Sequence, residues 1–99
     1  MSLLTNVLTK LRAHEVELRG RGVVHVAVFG SVVRAENGAD SDVDLFVDLT
    51  PAVAANFIAY AGIAADLEEI VGQPVDVARR DRLRPHVRPN AEAHAVYAF

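Results

Sequence analysis

Two hydrophobic periods run along this chain, and the switches between them mark out its elements. From Ser2 to about Gly20, Leu4, Leu8, Leu11, Glu15 and Leu18 fall near one stripe, with Leu3 and Val7 flanking it. That spacing predicts a helix with one buried side. Ser2 is placed to act as N-cap, and Gly20 with Gly22 supplies the stop. Val23–Phe29 (VVHVAVF) is β-branched and apolar at consecutive positions, which predicts a central strand covered on both faces. His25 inside it is expected to be a packed or hydrogen-bonded core residue, not a ligand. In Asp42–Leu49 the period is two: Val43, Leu45, Val47 and Leu49 share a face to be buried, and Asp42, Asp44, Phe46 and Asp48 share the other.

Between these strands Gly30-Ser31 turns the chain, Val32–Glu36 reads as a short helix, and Asn37-Gly38 ends it. Thr50 as N-cap with Pro51 at the first helical position predicts a helix running on to Gly72. Its buried side is expected to draw on Val53, Phe57, Ile58, Ala61, Ala65, Leu67 and Ile70. A third strand, Val75–Ala78, follows, then an Arg-rich segment and a last helix from about Pro89 to Tyr97. The Val32–Ser41 connection is short for a parallel crossover, so the first two strands should be antiparallel. The expected fold is α/β (α+β): a small mixed sheet with helices packed on it, forming one domain over residues 1–99.

Composition narrows the function. An apolar fraction of 52% suits a globular core, and the absence of cysteine removes disulfides and Cys-ligated zinc. No histidine pair has metal-ligand spacing. A formal net charge of −3 disfavours stable gripping of nucleic-acid backbone. Charge arrives early in MSLLTNVLTKLRAHE and no apolar run approaches a membrane span, so a cytoplasmic protein is expected. Acidic residues gather at Asp40–Asp48, while Arg79, Arg80, Arg82, Arg84 and Arg88 cluster near the end.

The chemistry concentrates on three acids. Asp42 and Asp44 lie two apart on a strand, so both point to one face with backbones roughly 6.6 Å apart. Such carboxylates can hold divalent cations for phosphoryl or nucleotidyl transfer. Asp76 sits between Val75 and Val77, where an unpaired charge is costly. If its strand lies beside the second one, Asp76 comes next to Asp44. Gly30 permits close backbone approach, and Ser31 opens a helical turn whose amides suit an anion. The bland alternatives are surface acids, an Asp76–arginine salt bridge and an ordinary Gly-Ser turn.

GSVVRAENGADSDVDL resembles the signature of the DNA polymerase β-like nucleotidyltransferases: Gly-Ser, ten residues, then Asp-x-Asp. Arg34, Ser41 and the apolar run after Asp44 are similar to the closer pattern of the minimal nucleotidyltransferases. The resemblance implies Mg²⁺-dependent transfer of AMP from ATP. Asp42, Asp44 and Asp76 would be metal ligands, with Asp76 also helping deprotonate the acceptor. Gly30 and Ser31 would hold the triphosphate, with Arg34 and Ser41 as further nucleotide contacts. Many relatives are antitoxins paired with a HEPN ribonuclease toxin, which they adenylylate on tyrosine, so a HEPN-type partner is implied. Two other functions remain open at this point: a binding module that masks the toxin, and a transferase acting on a small molecule or an RNA end.

Overall fold

The structure is a computed structural model, and it describes residues 2–34 and 42–99. Its four-stranded mixed sheet has the order β3-β2-β1-β4, with β1 at Val23–Phe29, β2 at Val43–Leu49, β3 at Val75–Arg79 and β4 at Val96–Tyr97. β1 pairs antiparallel with β2 and with β4, while β2 and β3 are parallel. The expected antiparallel start and the central position of β1 are both present. Expected strand boundaries hold to within a residue for the first three strands.

One face of the sheet carries the core. Val26, Val28, Val43, Leu45 and Val47 are buried there with Val7, Leu11 and Leu18 from the N-terminal helices and with Ile63, Leu67 and Val71. The opposite face is mixed. Phe46 is fully buried on it, packed against Phe29 and Tyr97, while the carboxylates of Asp44 and Asp76 share its rim.

The helices depart from expectation in three places. The first divides into α1 (Leu3–Ala13) and α2 (Glu15–Gly20). The His14 ring donates from Nδ1 to Lys10 O at 2.9 Å, and the His14 amide turns to Leu11 O instead. A side chain that takes the carbonyl four residues back competes with the helical ladder. Ser2 caps α1 as expected, accepting from the Thr5 amide at 3.1 Å.

The second helix also divides, into α3 (Pro51–Ala54) and α4 (Phe57–Val71). Asn56 restarts it, its side chain accepting from the Ala59 amide at 3.1 Å. The restart rotates the apolar face, so Ile63, Leu67 and Val71 are buried while Phe57 and Ile58 are 80% and 82% exposed. Gly72 stops α4 at φ 82°, in the left-handed region expected of that glycine.

The last helix, α5 (Arg88–His94), ends before Tyr97, because Val96–Tyr97 is needed as a strand on the free edge of β1. Arg12 holds this tail by donating to the Ala98 and Tyr97 carbonyls at 2.9 and 3.2 Å. No helix among the described residues is long and apolar enough to cross a membrane.

Candidate active site

Register places the acids. Asp44 on β2 lies directly opposite Asp76 on β3 and, on its other side, opposite Phe29 on β1. Directly opposed residues share a face. A row therefore crosses three strands at one end of the sheet: Asp76, Asp44, Phe29. Asp42 immediately precedes β2 and is exposed, as is Asp76, while Asp44 is half-buried. The strand reading thus brings together all three expected acids.

Gly30 follows Phe29 at φ 77° and opens a single 3₁₀ turn, Gly30–Val32. A side chain there would be strained by the positive φ, and it would also collide with Asp44, because an added Cβ would fall against Asp44 Oδ2. The glycine backbone and the Asp44 carboxylate are in contact only because position 30 has no side chain. Ser31 is half-exposed within the turn, and Arg34 is exposed just beyond it. The turn replaces the start of the short helix expected over Val32–Glu36. Ser41 and the remainder of that expected helix lie outside the described residues.

Electrostatics couple the row. The Asp44 carboxyl is held above its ordinary value of 3.8, first by burial, then by the negative charges of Asp76 and Asp42, with Arg34 opposing. Like charges this close disfavour joint ionisation unless a cation intervenes. Among the described residues, no three His, Asp or Glu side chains form a ready-made metal cage. The donor set nevertheless fits Mg²⁺, which prefers hard oxygens and is usually bound by one or two carboxylates, with substrate phosphates and water completing its shell.

The neighbouring charges are committed to structure. Arg80 donates to Asp48 at 2.7 Å, and Arg79 bonds Asp81 at 2.9 Å and the Ala54 carbonyl at 2.9 Å. Arg88 pairs with Glu92. Three of the clustered arginines are thereby occupied away from Asp76. Tyr60 donates to the Val77 carbonyl at 3.1 Å, a packing role on β3. His25 is exposed rather than buried as expected, with Nδ1 at 3.3 Å from Phe99 O and its ring edge-on to Tyr97.

Sequence reasoning missed the wall facing this row. Phe29, Gly30 and Arg34 line a cleft of about 260 Å³ closed by His86, Val87, Asn90, Ala91 and His94. The signal was indirect, because it required α5 to fold back over the sheet face that bears the acids.

A parallel–antiparallel sheet with paired acids facing a glycine turn defines a class of phosphate-transfer scaffold. The chain belongs to the nucleotidyltransferase domain family, whose model matches residues 8–98, and it is a nucleotidyltransferase. It is 34% identical over 98 residues to protein adenylyltransferase MntA of Thermococcus cleftensis, covering 98% of this chain and 97% of that protein. A solved structure of a candidate minimal nucleotidyltransferase superposes with a TM-score of 0.75 at 33% identity, over 97% of this chain and 95% of the other. A toxin–antitoxin crystal structure with AMP-PNP shares the fold, with a TM-score of 0.68 at 16% identity, over 89% of this chain and 72% of that one.

Proposed function

We propose that this nucleotidyltransferase is an antitoxin that transfers AMP from ATP to a hydroxyl, a tyrosine, of a cognate HEPN-type ribonuclease toxin in the cytoplasm. The observation that carries the reading is the contact of Gly30 with Asp44, with Asp76 abreast on the next strand. Two similarities support it: a relative covered almost end to end is named a protein adenylyltransferase, and the fold recurs in a toxin–antitoxin structure.

In this reading the 99 residues act as one catalytic domain and the partner presents the acceptor. Gly30 and Ser31 seat the β- and γ-phosphates against the opening amides of the turn. Arg34 adds positive charge there, and Ser41 contributes a further contact. Asp42, Asp44 and Asp76 would hold Mg²⁺, which when bound neutralises charge on the phosphates. Asp76 takes the acceptor proton. The acceptor oxygen then bonds to the α-phosphorus, the bond from that phosphorus to the bridging oxygen breaks, and pyrophosphate leaves on the Gly30 side.

Intact mass of the toxin encoded beside this protein, after incubation with the protein, ATP and Mg²⁺, tests the proposal. A gain of one or more AMP units that disappears with Asp42→Asn supports it. A stable complex with no mass gain shows masking without transfer and overturns it.

A further inference from the structure

β3 forms one edge of the sheet, and among the described residues no strand lies on its outer side. Peptide groups alternate sides along a strand. The Pro74 carbonyl accepts from the Val43 amide at 3.1 Å, so it faces β2, and the backbone groups of Asp76 and Ala78 face the same way. Those of Val75 and Val77 therefore face outward. The Val77 carbonyl accepts from the Tyr60 hydroxyl at 3.1 Å, which agrees with that direction and ends the free row there. The Val75 carbonyl and the Val75 and Val77 amides have no partner among the described residues. Free edge groups of this kind are a template for another strand.

Beside this edge, on the face that carries the core, runs a groove of about 670 Å³ between β3 and the flank of α4. Val75 and Val77 form one wall, Ala64 and Ala65 form the other, and Glu68 and Glu69 line the part nearer Gly72. Neither glutamate has an ion-pair partner among the described residues. The bordering cations are committed elsewhere. Lys10, near Gly72, donates to the Val71 carbonyl at 3.1 Å, and Arg79, beyond Val77, bonds Asp81 and the Ala54 carbonyl. Asp76 is exposed on the opposite face, so the edge carries negative charge on both sides.

We propose that the acceptor protein docks an extended, basic segment on β3 as a fifth strand, with flanking side chains in the α4 groove and the acceptor tyrosine opposite Asp76. This rests on the AMP-transfer reading and specifies how the partner presents its hydroxyl. In a parallel pairing, one incoming residue donates to the Val75 carbonyl and accepts from the Val77 amide, and that residue lies opposite Asp76. Its side chain points to the face bearing Asp44 and Asp76, while its two neighbours point into the groove. Main-chain bonds then supply affinity and the groove supplies selectivity, for apolar side chains at Ala64 and Ala65 and for lysine or arginine at Glu68 and Glu69. The added strand lies two strand spacings, about 10 Å, from β2. A tyrosine carries its hydroxyl across much of that gap, whereas a serine hydroxyl stays beside the added strand.

The test is amide-resolved hydrogen exchange on the full chain, alone and in complex with the toxin encoded beside it, paired with kinetics of AMP transfer. Exchange at Val75 and Val77 should slow about tenfold or more in the complex. Ala65→Trp, which fills the groove from an exposed helix position, should raise KM for the toxin about tenfold or more. The Glu68→Lys/Glu69→Lys double variant, which reverses the groove's charge, should do the same, and both should leave kcat and ATP affinity unchanged. A complex in which Val75 and Val77 exchange as fast as in the chain alone overturns the fifth strand, and leaves the transfer reading standing if AMP still appears on the toxin. Slowing that follows the concentration of the chain alone marks a second copy as the occupant and overturns the proposal too. Slowing in the complex with no AMP transfer supports the fifth strand and overturns the transfer reading. A toxin that forms no complex overturns both.

Discussion

Ionised Asp44 weighs against folding, and it does so at a residue proposed to ligate the metal. Its folded-state value lies above the ordinary 3.8 because of burial and the charges of Asp76 and Asp42. The folded state therefore favours the protonated form. Stability from this group is fully present below the unfolded value and is lost as pH rises through the folded one. Asp44→Asn should consequently raise the metal-free melting temperature by a few degrees at neutral pH, and the gain should vanish on titration to pH about 3. The same variant should lower AMP transfer roughly 100-fold or more, because the proposed metal site loses a ligand. Thermal melts across pH, paired with a transfer assay, read both effects. Gly30→Ala tests the neighbouring contact. The backbone at φ 77° costs a non-glycine residue about 1–2 kcal/mol, and the new Cβ would displace the Asp44 carboxylate. Denaturant unfolding should show that loss, and transfer should fall far more than stability does.

Elements show where sequence pattern stops being informative. Strands were legible because period two and β-branching are local properties: β1, β2 and β3 fall where Val23–Phe29, Asp42–Leu49 and Val75–Ala78 were expected. The Asp44–Asp76 pairing followed from that alternation once the strands were adjacent. The helix breaks were also written locally but competed with stronger signals. Asn56 is a good N-cap inside a run that reads as one apolar helix, and His14 breaks α1 through a ring contact that composition does not reveal. Val96 and Tyr97 form a strand only because β1 has an edge to fill, which is tertiary information. The Asn56 restart has a measurable consequence. Phe57→Ser and Ile58→Ser should each change unfolding free energy by about 0.5 kcal/mol or less, since both side chains already face water. Leu67→Ala, from the buried side of the same helix, should cost about 2–5 kcal/mol in the same denaturant titration.

At the scale of the whole molecule, the sheet separates two jobs by face. One face is closed by α1, α2 and α4 and supplies the core. The other carries, in strand order, Asp76, Asp44 and the Gly30 turn, which in the proposed reaction serve the acceptor, the metal and the leaving phosphates. α5 stands over the same face and leaves a cleft beside the glycine turn. Three adjacent strands thereby bring these groups to one end of one sheet face. In the proposed reaction this order also gives a direction: the acceptor would enter at β3 and pyrophosphate would depart past β1. The most direct measurement supplies the toxin complex with Mg²⁺ and ATP labelled at either the α- or the γ-phosphate, and follows which label becomes covalently attached to protein. Attachment of the α label alone, with the γ label released in pyrophosphate and both signals absent in Asp44→Asn, is the predicted result. Attachment of the γ label, or α labelling that persists undiminished in Asp44→Asn, would contradict transfer of AMP at this row of acids.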